Sequence, residues 1–117
     1  MCGLVACSGV ESAGQFLIDS LKRLEYRGYD SAGLVLQNGK ELFCEKTKGP
    51  ISNLEDSLSN QEISIDSFNS TSGIAHTRWA THGVPSSENA HPHLSRDGKI
   101  AIVHNGIIEN YQKLKNE

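Results

Sequence analysis

The chain begins with the stretch MCGLVACSG (residues 1–9), in which a cysteine and a glycine follow the first methionine. The apolar, β-permissive run after Cys2 predicts a first strand that buries Leu4 and Val5. A small second residue permits removal of Met1, which would leave Cys2 with a thiol and a free α-amine. That amine has a reference pKa of ~7.7–8.0, against ~8.5 for a thiol, so it can serve as a base at neutral pH. The stretch therefore predicts a strand that begins at a cysteine able to act as a nucleophile with its own base, although taken alone it also fits a small buried cysteine, since many chains begin with Met-Cys by chance.

Length and charge limit the class of protein. With 117 residues, of which 37% are hydrophobic, the chain can form one small globular domain. A net charge of -3 without a basic block argues against nucleic acid or an anionic membrane as a partner. No apolar run approaches the ~20 residues of a membrane span, and the start lacks the features of a signal peptide. The three cysteines form no disulfide framework, so we expect a cytoplasmic protein.

The patterns along the chain predict an α/β organisation. Leucines spaced i, i+4 and i+7 within residues 12–28 predict a helix that Ser12 caps and Gly28 ends. Two strand-like runs flank Asn38-Gly39, which predicts a hairpin. The other expected elements are a short helix at 51–58, a polar loop at 60–72, strands at 73–79 and 99–104, and a helix from 106.

Several later residues could serve acyl transfer, but none decides the function alone. Acyl transfer needs donors to a developing oxyanion, and the side chain of Asn105 and the amide of Gly106 could supply them. Arg78 could grip a substrate carboxylate with its planar fork. Taken separately, these residues fit an ordinary Asn-Gly turn and a solvated strand arginine better. The connection over residues 80–98 is long and rich in histidine, which favours a functional loop.

Five motifs, taken in order, resemble the class II glutamine amidotransferases, which are N-terminal nucleophile hydrolases. They run from residue 2 to about residue 111 and read CGLVACSG, LEYRGYDSAG, GIAHTRWATHG, NAHPH and VHNGIIEN. The tyrosines and the tryptophan in these motifs favour the branch of the family that aminates a sugar phosphate. The resemblance implies an α/β (α+β) fold, the four-layer αββα sandwich. Residues 1–117 would be an incomplete N-terminal part of the amidotransferase domain, without the sugar-isomerase domains.

The resemblance also implies roles for individual residues. Cys2 would be the nucleophile, and Asn105 with the Gly106 amide would form the oxyanion hole. Trp79 would belong to a mobile loop that closes over glutamine. The other implied site residues are Arg78, Thr81 and His82, which would hold the glutamine carboxylate, and Arg27 and Gly28, which would lie near the nucleophile. Cys7 and Cys44 match no catalytic position and are expected in the core.

The partners implied by the resemblance are L-glutamine and, through domains absent from this chain, fructose 6-phosphate. It implies a homo-oligomeric parent enzyme, no cofactor and no metal. Two alternatives stay open: another class II enzyme of the amidophosphoribosyltransferase type, and a non-catalytic metal-binding module of His and Cys residues. The histidines of "HPH" stand one residue apart, which is a poor start for a tetrahedral zinc site.

Overall fold

The centre of the fold is an antiparallel sheet of four strands. The computed structural model describes residues 3–27, 30–59, 70–79, 90–106 and 108–117. Within them the strand order is β1-β4-β2-β3, so the last of the four strands in sequence lies between the first two. The strands are β1 (Gly3–Cys7), β2 (Ser31–Asn38), β3 (Glu41–Lys48) and β4 (Ser72–Arg78).

Two helices cover one face of this sheet, which we call the helix face. Helix α1 (Ala13–Leu24) and helix α2 (Ile51–Ser59) bury a continuous set of aliphatic side chains against β2 and β4. The predicted leucine stripe is confirmed, since Leu17 and Leu21 are fully buried. Among the described residues, no helix has both the length and the apolar character needed to cross a bilayer.

The start of α1 differs from the prediction in its cap. Ser12 does precede the helix, but its hydroxyl makes no capping hydrogen bond. The backbone oxygen of Ser70 accepts from the N–H of Ala13, the first N–H of the helix, which a serine cap does not reach. The helix ends at Leu24, and a turn of 3-10 helix follows over Glu25–Arg27.

The hairpin between β2 and β3 is confirmed, with the turn shifted by one residue. Asn38 pairs with Glu41, so Gly39 and Lys40 are the two turn residues. Gly39 has a φ of 62°, a backbone conformation that glycine adopts without steric cost.

Leu4 and Val5 do not both enter the core, contrary to the expectation for the first strand. Successive strand residues point to opposite faces of a sheet. Val5 packs against the helix-face core, whereas Leu4 lies on the other face and is 45% exposed. We call this second face the open face; Gly33, Val35, Ile74, His76 and Arg78 also lie on it by the strand register.

A small second sheet crosses the open face. It consists of β5 (His93–Leu94) and β6 (Ala101–Ile102), joined by a turn in which Gly98 has a φ of 71°. The turn predicted at Asp97-Gly98 is confirmed, but the strand expected over 99–104 is only two residues long. The side chains of Ser95 and Asp97 accept the N–H groups of Ile100 and Lys99, which removes both from any strand ladder.

The last helix is also shorter than expected. Helix α3 spans Tyr111–Lys115 rather than starting at 106, and Asn110 precedes it. Residues 103–106 therefore form an irregular segment between β6 and α3. This segment carries the asparagine and glycine that the sequence assigns to the oxyanion hole.

Candidate active site

The end of β4 brings polar side chains into the middle of the fold. His76 and Arg78, on the open face of this central strand, are 1% and 7% exposed, and the ring of His91 covers His76 there. Trp79, directly after the strand, is 51% exposed. An arginine and a histidine buried at the end of a central strand are an expensive arrangement that core packing alone does not require.

The start of β1 lies beside this strand end. Gly3 pairs with Thr77, and a Cβ built on Gly3 would lie 2.9 Å from Leu24 Cδ1. The position therefore favours glycine, which lets α1 approach the sheet closely. Cys2 itself lies outside the described residues, but the sequence joins it directly to Gly3, one pairing position from Arg78.

The segment of residues 90–93 crosses the open face at a glycine. A Cβ on Gly33 would lie 2.1 Å from the carbonyl oxygen of His91, a distance that no side chain could tolerate. This close approach stacks the His91 ring on the His76 ring, with centroids 4.3 Å apart and planes inclined by 30°. The ring of His93 also contacts the ring of His91, with centroids 4.3 Å apart and planes inclined by 54°.

A hydrogen bond ties His76 to the irregular segment after β6. Its Nε2 lies 2.6 Å from Oδ1 of Asn105. An amide oxygen only accepts, so Nε2 carries the proton in this pair. The next residue, Gly106, has a φ of 145°, which a residue with a side chain would rarely adopt. The contact joins the four-stranded sheet to the chain that follows the small sheet.

The histidines of this cluster are held neutral. Burial lowers the pKa of His76, the hydrogen bond with Asn105 raises it, and the nearby Arg78 lowers it again. Burial, helped by His76, His93 and Arg78, lowers the pKa of His91 to about 4. Burial also lowers the pKa of His93, assisted by the positive charges of Lys46 and Arg78. At neutral pH the positive charge within this cluster therefore belongs to Arg78.

Four of the sequence-predicted site residues lie in the described part of the chain. Arg78 and Trp79 follow one another at the end of β4, and Asn105 and Gly106 lie at the end of the irregular segment 103–106. His76 links the two pairs, since it contacts Asn105 and shares a strand with Arg78. The predicted residues that lie outside the described ones are Cys2, Gly28, Thr81 and His82, and of Arg27 only the backbone is described.

Two residues of the cluster were not assigned a part from the sequence. His76 was considered only as one of several histidines, and Gly33 was not singled out. A glycine within an apolar strand, as in SAGLVL (residues 31–36), is a known sign of close backbone approach and could have indicated the crossing segment. No sequence signal indicates the partner of His76, because Asn105 is 29 residues away.

The other two cysteines are unsuited to nucleophilic chemistry. Cys7 and Cys44 are free thiols and partly buried, and burial raises the pKa of both. A raised pKa leaves little thiolate at neutral pH. In the part of the chain that the structure describes, no three His, Cys, Asp or Glu side chains are grouped so as to hold a metal ion.

A cleft among the described residues lies away from this cluster. It has a volume of about 570 Å³ and lies between the open face and the turn of the small sheet, where Val35, Ile74 and Ile100 contribute to its lining. Neither Arg78 nor Asn105 lines it. Its walls are mostly apolar, and the thiol of Cys7 in its lining has a raised pKa, so we assign the candidate site to the histidine cluster rather than to this cleft.

Comparison with curated proteins finds relatives over the whole chain. The chain is 53% identical over 117 residues to glutamine–fructose-6-phosphate aminotransferase (isomerizing) of Chlorobaculum tepidum, and 55% identical over 116 residues to that of Bacteroides thetaiotaomicron. It spans only 19% and 18% of the lengths of these two relatives. No family model matches the chain.

Comparison with solved structures finds the same fold. Glutamine phosphoribosylpyrophosphate amidotransferase from B. subtilis, complexed with ADP and GMP, matches 99% of the chain with a TM-score of 0.78 and 28% identity. A structure described as the allosteric regulatory enzyme of purine biosynthesis matches with a TM-score of 0.79 and 30% identity. The chain covers 24% of each. These neighbours confirm the predicted sandwich fold, of which this chain has a part.

Proposed function

We propose that this chain, a member of the class II glutamine amidotransferases by its similarity over its whole length, hydrolyses the side-chain amide of glutamine as part of a longer enzyme. In that enzyme the released ammonia converts fructose 6-phosphate to glucosamine 6-phosphate. Residues 1–117 are the N-terminal part of the amidotransferase domain, and the sugar-phosphate chemistry belongs to domains beyond this chain.

One observation supports this proposal above the others: the hydrogen bond between His76 of β4 and Asn105 in the segment 103–106. Asn105 is exposed, yet its amide oxygen is held 2.6 Å from a buried histidine on the strand that ends at Arg78. Gly3 pairs with Thr77 of that strand, so β1 begins beside the end of β4. A nucleophile, an oxyanion donor and a carboxylate clamp are thus assigned to elements that meet at one place.

The nucleophile is Cys2, after removal of Met1. Its α-amine, with a reference pKa of ~7.7–8.0, accepts the thiol proton, directly or through one water. The thiolate then attacks the amide carbon of glutamine, and a tetrahedral oxyanion forms. The side-chain amide of Asn105 and the backbone N–H of Gly106 donate to that oxyanion.

The tetrahedral intermediate collapses when the C–N bond breaks. The α-ammonium of Cys2 returns its proton to the leaving nitrogen, so ammonia departs and a glutamyl thioester remains. A water molecule, activated by the same amine, attacks the thioester. Glutamate is released and the thiol of Cys2 is restored. The cycle uses no cofactor.

The substrate is held by residues on both sides of the end of β4. The guanidinium of Arg78 binds the α-carboxylate of glutamine through a bidentate pair of hydrogen bonds. Thr81 and His82 complete that contact, and Trp79 closes over the bound substrate. Arg27 and Gly28 shape the surroundings of the nucleophile.

The sugar-phosphate branch is favoured over the phosphoribosyl branch by sequence identity. The relatives named as fructose-6-phosphate aminotransferases are 53% and 55% identical, whereas the phosphoribosylpyrophosphate amidotransferase is 28% identical. The second branch is kept as the alternative because its fold matches at a TM-score of 0.78. The identity of the ammonia acceptor distinguishes the sugar-phosphate branch from the phosphoribosyl branch.

The test is glutamate release by the full-length enzyme that carries this sequence. A form with uncleavable residues before Cys2 should lose glutaminase activity although its thiol is intact, and Cys2→Ala should lose it too. Cys7→Ser is the matched control and should keep the activity. Fructose 6-phosphate should accept the ammonia, and phosphoribosyl pyrophosphate should not. Normal turnover with a blocked Cys2 amine would overturn the mechanism.

A further inference from the structure

The hydrogen bond between His76 and Asn105 calls for a reason beyond packing. His76 is fully buried on a central strand, and its Nε2 forms a hydrogen bond with Asn105, a residue that is itself exposed. Its other ring nitrogen, Nδ1, is buried with no hydrogen-bond partner among the described residues. A leucine or phenylalanine would fill the same space without leaving a buried polar atom unsatisfied, which is unfavourable.

We propose that His76 is a positioning residue for the oxyanion hole: its Nε2–H holds Oδ1 of Asn105, so that the amide nitrogen of Asn105 is presented to the carbonyl oxygen of glutamine. This proposal rests on the proposed function, since it needs Asn105 to act as the oxyanion donor.

The argument begins with the two ends of the amide group. An asparagine side chain can turn about χ2 and exchange its oxygen and nitrogen, and in an exposed segment nothing in the amide itself prevents this. When Nε2 of His76 carries the ring proton, this donor at 2.6 Å decides the orientation, because the end that faces it must be the oxygen. The amide nitrogen then points away from His76 in every molecule, as catalysis by a preorganised donor requires.

The surroundings of His76 keep its ring neutral. Burial opposes a positive charge on the imidazole most strongly, and the nearby Arg78 and His93 oppose it as well. The neutral ring has a single proton, and the contact with Asn105 places it on Nε2. The crossing segment at Gly33 packs against this neutral ring, and the pairing with Oδ1 of Asn105 corresponds to the tautomer protonated at Nε2.

The first experiment compares two amides at position 76 in the full-length enzyme. The glutamine side chain can place its nitrogen near the position of the histidine Nε2, whereas asparagine reaches only the position of Nδ1. We expect His76→Asn to lower kcat for glutamine hydrolysis by about 10–100-fold, because a donor misplaced by 1 Å costs about that much. His76→Gln should recover to within about fivefold of wild type, and KM for glutamine should change less than about threefold in both variants, since the contact acts through the transition state.

Two controls separate positioning from folding. The same pair of substitutions at His91, which stacks on His76 without reaching Asn105, should show no advantage of Gln over Asn. Rates are normalised to the concentration of reactive Cys2 thiol, titrated with a diazoketone analogue of glutamine, so that unfolded enzyme is not counted. Because His76 acts through Asn105, the variant His76→Asn/Asn105→Ala should be no slower than Asn105→Ala.

A spectroscopic measurement needs no variant. In full-length enzyme labelled with ¹⁵N-histidine, His76 should show a protonated Nε2 and an unprotonated Nδ1 at neutral pH. A proton on Nδ1, equal losses for Gln and Asn at position 76, or multiplied losses in the double variant would each overturn the proposal. If wild type released no glutamate, or Cys2→Ala still released it, the proposed function itself would fail; with a Cys2-dependent wild type, the outcomes at position 76 decide the role of His76 alone.

Discussion

Replacing Gly33 with alanine should push the crossing segment off the open face. The new Cβ would lie 2.1 Å from the carbonyl oxygen of His91 and 3.1 Å from its carbonyl carbon. Both are backbone atoms, so no side-chain rotation can relieve the contact. The segment must move away by roughly 1 Å, and overpacking of this kind costs about 1–3 kcal/mol.

Two measurements on the 117-residue chain check this prediction. Urea unfolding should show a loss of about 1–2 kcal/mol, which allows for the smaller backbone entropy that alanine loses on folding. The pKa of His91, followed by NMR of its ring, should rise from about 4 towards the ordinary value of 6.5 as the ring leaves its buried stack. The rise in the pKa of His91 is specific to movement of the crossing segment, whereas a loss of stability is not.

The matched control is the same substitution at Gly39. Nothing lies within 4 Å of a Cβ built there, and the φ of 62° makes alanine unfavourable for backbone reasons alone. Gly39→Ala should therefore cost about 1 kcal/mol and leave the pKa of His91 unchanged. A Gly33→Ala chain as stable as wild type, with His91 still titrating near 4, would refute the reasoning.

Three further predictions concern the site. In the full-length enzyme, Asn105→Ala should lower kcat for glutamine hydrolysis by about 10²–10³ and change KM less, because one oxyanion donor is lost; steady-state kinetics that show the reverse would remove Asn105 from the oxyanion hole. Arg78→Lys keeps the charge but loses the fork, so KM for glutamine should rise about 10–100-fold while synthesis from added ammonia is spared. Equal loss of both activities would instead give Arg78 a structural role. The depressed pKa of His91 means that the unfolded chain binds a proton between about pH 6.5 and pH 4 and the folded chain does not, so stability should fall with decreasing pH by up to about 1.4 kcal/mol per unit. Urea unfolding at pH 7 and pH 5 should show a smaller difference for His91→Phe, which keeps the stacked ring; an unchanged difference would assign the effect to other groups.

The sequence by itself determined the elements whose signals are local. The leucine stripe of α1 and the glycine of the β2-β3 turn follow from periodicity and backbone preference, and both lie where they were predicted. The order of the five motifs was sufficient to predict the resemblance to the family and the fold, and the relatives and structural neighbours bear out both. The roles of Cys2, Thr81 and His82 remain predictions, since these residues lie outside the described ones.

Tertiary structure decided which of these residues meet. Strand order places β4 between β1 and β2, so Gly3 and Arg78 come to one end of the sheet although 75 positions separate them. The crossing of residues 90–93 over Gly33 and the bond from His76 to Asn105 are contacts between distant segments, and no local propensity encodes them. Ser12 precedes its helix but makes no side-chain cap. The strand expected over 99–104 is shorter because side chains of the turn, from Ser95 and Asp97, accept the N–H groups of Ile100 and Lys99. Local preferences amount to about 1 kcal/mol or less per residue. Burying one aliphatic side chain of the core contributes about 1.5–3 kcal/mol, so the long-range contacts set the final arrangement.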